Sequence, residues 1–196
     1  MSENLIKNLK SENRNLKREV KKLKVISFRD SLTGLSNKTG FEHEVISAIS
    51  MARRAKSCLC LGIFDLDGFK QFNDKKGHKE GDKVLIEFAK VLEKNTRLGD
   101  VLSRWGGDEF VVVLQFARLA DALEVGERIR ESIEKIYRGK KYSITVSGGF
   151  SEICFKDVDL KTHVSNNYFK KIYLKLFKQA DKKLLDVAKV NKNKIV

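Results

Sequence analysis

The stretch Val101-Leu102-Ser103-Arg104-Trp105-Gly106-Gly107-Asp108-Glu109-Phe110-Val111-Val112-Val113-Leu114 joins two apolar runs through a Gly-Gly pair and two adjacent carboxylates. That pattern predicts a tight β-hairpin, with strands over 100–105 and 108–116 and its acids near the turn. Glycines let a ligand approach the backbone, and carboxylates fixed on a strand suit a metal-bound phosphate. The same residues also describe a plain solvent-exposed Gly-Asp turn, so the flanking sequence has to decide.

Working outward, 29–37 is a turn-rich link and 38–56 reads as a helix. Residues 57–65 form an apolar strand, and a polar, Gly-containing segment leads to a helix over 80–96. Beyond the hairpin, 119–137 has helical periodicity with Leu119, Leu123, Ile129 and Ile133 on one side, and 142–150 is again a strand. The order is βαββαβ, an α+β class whose simplest solution is a ferredoxin-like sheet with helices on one face. A polar stretch over 151–162 precedes a last amphipathic helix, 168–190. The chain contains no proline to interrupt any of these elements.

At 196 residues the chain holds one domain with a sizeable core, plus an appendage. Its formal charge of +14 admits nucleic acid, anionic lipid or phosphorylated ligands without choosing among them. Cys58, Cys60 and Cys154 lack metal-ligand spacing and read as reduced core thiols. No run of about 18 apolar residues and no signal-peptide pattern is present, so a cytoplasmic protein without a membrane partner is expected.

Residues 1–28 contain neither Gly nor Pro, and Leu9, Leu16 and Leu23 recur every seventh position. With those at d, Ile6, Asn13, Val20 and Ser27 fall at a. This composition favours a parallel two-stranded coiled coil whose Asn fixes the register. Glu12 and Glu19 at g then face Lys17 and Lys24 at e of a partner chain. The domain reading is a dimerising helix over 1–28 and a globular domain over 29–196. Three heptads are short, which makes the predicted homodimer concentration-dependent.

Three motifs remain: Asp30-Ser31-Leu32-Thr33-Gly34-Leu35, the block from Asp65 to Asp82, and Arg104-Trp105-Gly106-Gly107-Asp108-Glu109-Phe110. Together, from about residue 30 to 196, the chain resembles the GGDEF domain of diguanylate cyclases, with its nucleotidyl cyclase, palm-like fold. The resemblance implies that two GTP molecules condense across a homodimer into cyclic di-GMP, releasing two pyrophosphates. It implies a Mg²⁺ site, with Mn²⁺ as the substitute, formed by Asp65, Asp108, Glu109 and the Leu66 carbonyl. Asp108 is the candidate base, and Glu109 and Lys70 join it as catalytic groups. Phe69 and Lys70 are expected to cradle phosphates, and Asn73 and Asp82 to read guanine. Asp67 is expected to stabilise its turn instead of binding metal. Arg97 and Asp100 match the family's Arg-x-x-Asp inhibitory product site, with Arg128 as a third contact.

The closing helix departs from the family pattern. Leu185 stands where Tyr is usual, and Ala188 occupies the position of a phosphate-binding Lys, with Lys189 beside it. Lys192 replaces an Arg, which keeps the charge and loses the bidentate fork. One residue along a helix turns a side chain by about 100°, so Lys189 and Lys192 are the expected substitutes. The Ala188 departure motivates an alternative reading, a catalytically impaired receptor for cyclic di-GMP or GTP. A leucine-zipper DNA-binding protein fits less well, because basic residues are interleaved with the heptads and form no block ahead of them, so nucleic acid is not an expected partner.

Overall fold

A computed structural model describes residues 6–7, 9, 12–14, 17, 28–140, 142–160, 164–190 and 192–196. Helix α1 (Lys38–Arg54) begins where Asn37 caps it, the Asn37 side-chain oxygen accepting the Gly40 N–H at 3.0 Å. Then follow β1 (Cys58–Asp67), α2 (Phe69–Lys76), α3 (His78–Asn95), β2 (Val101–Gly106), β3 (Glu109–Gln115), α4 (Leu119–Tyr137), β4 (Thr145–Cys154) and α5 (Asn166–Val190). The four strands form one antiparallel sheet in the order β2-β3-β1-β4, so β1 is paired along both edges. This is the expected ferredoxin-like arrangement.

The expectation of helices on one face holds only for α3 and α4. They bury Phe88, Leu92, Ile129 and Ile133 against Phe64, Phe110 and Phe150 of the sheet. Edge-on ring contacts run from Phe150 through Phe64 and Phe88 to Phe110. The flanking helices α1 and α5 cover the opposite face, packing Phe41, Val45, Tyr173 and Leu176 against Leu59, Leu61, Ile63, Val111 and Val113. Both lie outside the βαββαβ unit, and each contributes a second apolar stripe. Strand β1 is therefore apolar at nearly every position, with both faces buried.

Two boundaries and one chemical state differ from the sequence reading. Helix α2 stands where a polar loop was expected, bracketed by Gly68 and Gly77, and β4 runs on to Cys154. Cys58 and Cys154 are not free thiols, because β1–β4 pairing sets them opposite one another and they form a disulfide. Their separation of 96 residues hid that juxtaposition. Cys60 is the buried thiol, its pKa pushed up to about 12 by burial and then by the Glu152 and Asp121 carboxylates.

Of the N-terminal heptads, Ile6, Lys7, Leu9, Glu12, Asn13, Arg14 and Lys17 are helical, with Ile6 and Leu9 about half exposed. Lys10, Leu16, Glu19, Val20, Leu23, Lys24 and Ser27 lie outside the described residues.

Candidate active site

The chemistry gathers where the central strands end. Register sets Asp65 of β1 beside Glu109 of β3, and the Leu66 N–H donates to the Asp108 carbonyl at 3.4 Å. Alternation puts Ile63, Asp65 and Asp67 on the face covered by α1 and α5. Burial pushes the Asp65 pKa up to about 6, helped by the Asp108, Asp67 and Glu109 carboxylates, while Lys192 works the other way. Glu109 is raised too, first by burial, then by Asp108 and Asp181, with Lys38 opposing. The result is an acidic cluster with too little positive charge of its own.

Two clamps hold the cluster in shape. Gly107 takes a positive φ of 55° in the hairpin turn, where a side chain would be strained. Its carbonyl accepts two bonds from the Arg104 guanidinium, at 2.8 and 3.0 Å. The same guanidinium reaches the Asp30 carboxylate at 3.3 Å, and Asp30 also accepts the Thr33 N–H and hydroxyl at 2.8 and 2.7 Å. Burial would raise the Asp30 pKa, but the Thr33 bonds and Arg104 outweigh it and hold the carboxyl below its usual value. The Asp-x-Leu-Thr segment and the hairpin are thus a single hydrogen-bonded unit.

Asp67 forms the second clamp. It is buried and accepts from Thr145 at 2.9 Å, from Ser147 at 2.9 Å and from the Asn193 N–H at 3.0 Å. Its carboxylate ties β1 to β4 and to the C-terminal segment, a wider duty than steadying its own turn. Lys192 Nζ lies 4.0 Å from Asp67 Oδ1, so this lysine points toward the acidic end. Lys189 and Ala188 are both exposed on the last turns of α5.

The nucleotide-reading candidates sit beside this junction. Gly68 caps α2 without a side-chain bond, which leaves the first N–H groups of the helix open to an anion. Phe69 is buried in the core and Lys70 is exposed. Asn73 faces the start of α3: a Cβ at Gly81 would stand 1.7 Å from Asn73 Oδ1, so a side chain there would displace the Asn73 amide. That oxygen is buried without a hydrogen-bond partner, and Asp82, one residue on, is exposed.

Arg97, Asp100 and Arg128 meet on the far side of the hairpin strands. The Asp100 carboxylate accepts the Arg97 N–H at 2.8 Å and the Gln115 N–H at 3.0 Å. All three residues line a cavity of about 300 Å³. The sequence reading missed two neighbours of the hairpin. Lys38 sits 4.5 Å over the Trp105 ring and offsets Glu109, and Asp181 adds negative charge. Neither residue carried a signal in the sequence, because both lie far along the chain from Glu109.

The donor set at the strand ends is all oxygen, the choice of a hard divalent cation, and a cation would remove the imbalance that raises Asp65. These residues therefore fit the metal that the motifs imply. Among the described residues, the ligand-type side chains that close to within 4.8 Å of one another are Cys58, Glu152 and Cys154. Their sulfurs are joined, and Glu152 is bound to Arg118 at 2.8 Å, so that group is no rival.

The family profile described as "Diguanylate cyclase, GGDEF domain" matches residues 27–194, and the chain belongs to that family. It is 35% identical over 155 residues to diguanylate cyclase A of Treponema denticola, which covers 78% of this chain and 38% of that protein. The chain thus spans well under half of that relative. Among solved structures, SiaD of Pseudomonas aeruginosa, in complex with its activator SiaC, is 31% identical with a TM-score of 0.73, covering 97% of this chain and 70% of that one. The coiled coil and GGDEF domain of DgcB from Caulobacter crescentus, in complex with c-di-GMP, gives a TM-score of 0.78 at 24% identity, covering 99% of this chain and 97% of that one. At that identity the likeness speaks for the fold.

Proposed function

We propose that this chain is a diguanylate cyclase acting as a homodimer, with one GTP on each protomer. The 3′-hydroxyl of each GTP attacks the α-phosphorus of the other. A new P–O3′ bond forms, the bond to the β-phosphate bridging oxygen breaks, and pyrophosphate leaves. The observation that carries this reading is that strand register and a backbone hydrogen bond bring Asp65, Asp108 and Glu109 to one strand-end junction.

Asp108, in the turn, takes the proton from the attacking hydroxyl. Asp65, Asp108, Glu109 and the Leu66 carbonyl would hold Mg²⁺ or Mn²⁺. When bound, the cation offsets the triphosphate charge and the charge growing on the leaving group. The open first turn of α2, with Phe69 and Lys70, receives the phosphates, and Lys192 adds a cation from the other side, with Lys189 further out. Guanine presents N–H donors on its Watson–Crick edge, which suits the exposed Asp82 carboxylate, with the Asn73 amide beside it as the second reading group. Product returning to Arg97, Asp100 and Arg128 would inhibit the enzyme. The heptads over 1–28 pair the two half-sites. A receptor without turnover rests on Ala188 alone, and the approach of Lys192 to Asp67 favours the enzyme.

The test is product analysis with GTP and Mg²⁺ over a protein dilution series, on residues 1–196 and 25–196. The expected result is cyclic di-GMP with two pyrophosphates each, at a per-protomer rate that falls on dilution, more steeply for the shorter chain. No cyclic di-GMP at high protein concentration would favour the receptor.

A further inference from the structure

Phe116 combines a strained backbone with a large apolar side chain left half exposed. It follows the last residue of β3 and takes a φ of 57°, in the left-handed region that a bulky residue rarely adopts. Its side chain is 51% exposed, so burial does not offset that strain. The conformation is imposed from both sides. Before it, the Gln115 N–H is bound by the Asp100 carboxylate at 3.0 Å, and the Gln115 amide donates to the Gly99 carbonyl. After it, Ala117 is buried in the core and its carbonyl accepts from Cys60 Sγ at 3.5 Å. An aromatic ring is thereby held at the wall of the cavity that Arg97, Asp100 and Arg128 also line.

We propose that Phe116 is a stacking platform for a guanine base of the cyclic dinucleotide at this cavity, setting affinity for the product. The inference rests on the reading of Arg97, Asp100 and Arg128 as a product site. The arginines offer planar donors to phosphate and to guanine edges, and a guanidinium plane can itself stack on a base. Beside them the cavity carries Leu114, Phe116, Ala117 and Val125, and of these Phe116 alone offers a flat aromatic face. Strain at an exposed ring is the mark of a residue kept for what it binds, since glycine would relieve the strain and lose the platform.

The experiment is direct titration of full-length protein with cyclic di-GMP by calorimetry, on the wild type and on Phe116→Ala, Phe116→Trp and Arg97→Ala, with thermal melts as the check on folding. Loss of a stacking partner weakens binding by roughly tenfold or more. Phe116→Ala should show that loss, Phe116→Trp should retain affinity and show fluorescence quenching on binding, and Arg97→Ala should also bind weakly. Normal binding by Phe116→Ala, with weak binding by Arg97→Ala, would overturn the platform and leave the product site standing. Normal binding by both variants would remove the site and the platform together. Should Phe116→Ala fail to fold, Phe116→Trp still decides, because a stacking site quenches its indole and an unused surface ring does not.

Discussion

Asp65→Asn is the substitution that separates the electrostatics of the site from its architecture. In the folded chain the Asp65 pKa is raised from 3.8 to about 6 by burial and by three neighbouring carboxylates. The folded chain therefore holds this proton more tightly than the unfolded chain does. The corresponding stability is complete below about pH 4 and is lost as pH rises through about 6. A shift of about two units caps the loss near 3 kcal/mol at about 1.4 kcal/mol per unit. Asp65 is only partly buried, and solvent screening lowers that to about 1–2 kcal/mol. Asparagine keeps the shape and removes the charge. In metal-free buffer at pH 7.5 the variant should melt roughly 2–8 °C above the wild type, and the gap should close by about pH 4.

Adding Mg²⁺ should reverse the order. A ligand at a hundredfold its dissociation constant stabilises the folded state by about 2.7 kcal/mol. The wild type should gain on that scale and the variant far less, with turnover abolished. Thermal melts over pH 4–8, with chelator and with Mg²⁺, read all of this on the same samples. A variant no more stable than the wild type at pH 7.5 without metal would refute the account of the acidic cluster. A pH-independent gap would do the same.

Three further outcomes follow from the clamps and the cations. Arg104→Ala removes two bonds to Gly107 and the Asp30 pair, whose side chains are 17% and 20% exposed. It should cost about 2–3 kcal/mol in urea melts and lower kcat more than GTP affinity, with Arg104→Lys only a partial rescue. Gly81→Ala puts a Cβ 1.7 Å from Asn73 Oδ1, so it should raise KM for GTP about tenfold and weaken discrimination against ATP. Lys192→Met should raise KM for GTP more than Lys189→Met, because Lys192 alone of the two lies near the acids. Equal effects would place the phosphate grip on the helix instead.

Legibility followed the length scale of each signal. Helix α4 falls on the expected 119–137 because Leu119, Leu123, Ile129 and Ile133 repeat over five turns. The eight residues of α2 carry mostly polar side chains, and the glycines that bracket it read as a loop. The carboxylates could be named from motif spacing, yet the duty of Asp67 could not. Its partners Thr145, Ser147 and Asn193 lie far along the chain, and only β1–β4 pairing brings them together. Lys38 and Asp181 were invisible for the same reason. They reach Glu109 because α1 and α5 cover the second face of the sheet, which the βαββαβ order alone does not require.

The two clamps explain how a cluster that repels itself stays assembled. Asp65 and Glu109 sit on paired strands and cannot separate without breaking β1–β3 pairing. Asp108 lies in a turn, and its freedom is limited by Arg104, which fixes the neighbouring Gly107 carbonyl and is itself fixed by Asp30. The fourth carboxylate, Asp67, is held in place by hydroxyls, an N–H and Lys192, though its charge still adds to the repulsion on Asp65. What remains under-neutralised is the set that the proposed chemistry asks to meet a cation and a triphosphate. The cost in stability is confined to the residues that use it, a distribution expected where function and stability compete. By this logic, loosening the Arg104 clamp should blunt the Mg²⁺-dependent rise in melting temperature even where Asp65, Asp108 and Glu109 are untouched. Arg104→Ala retaining the full Mg²⁺ shift would show that strand pairing alone holds the site.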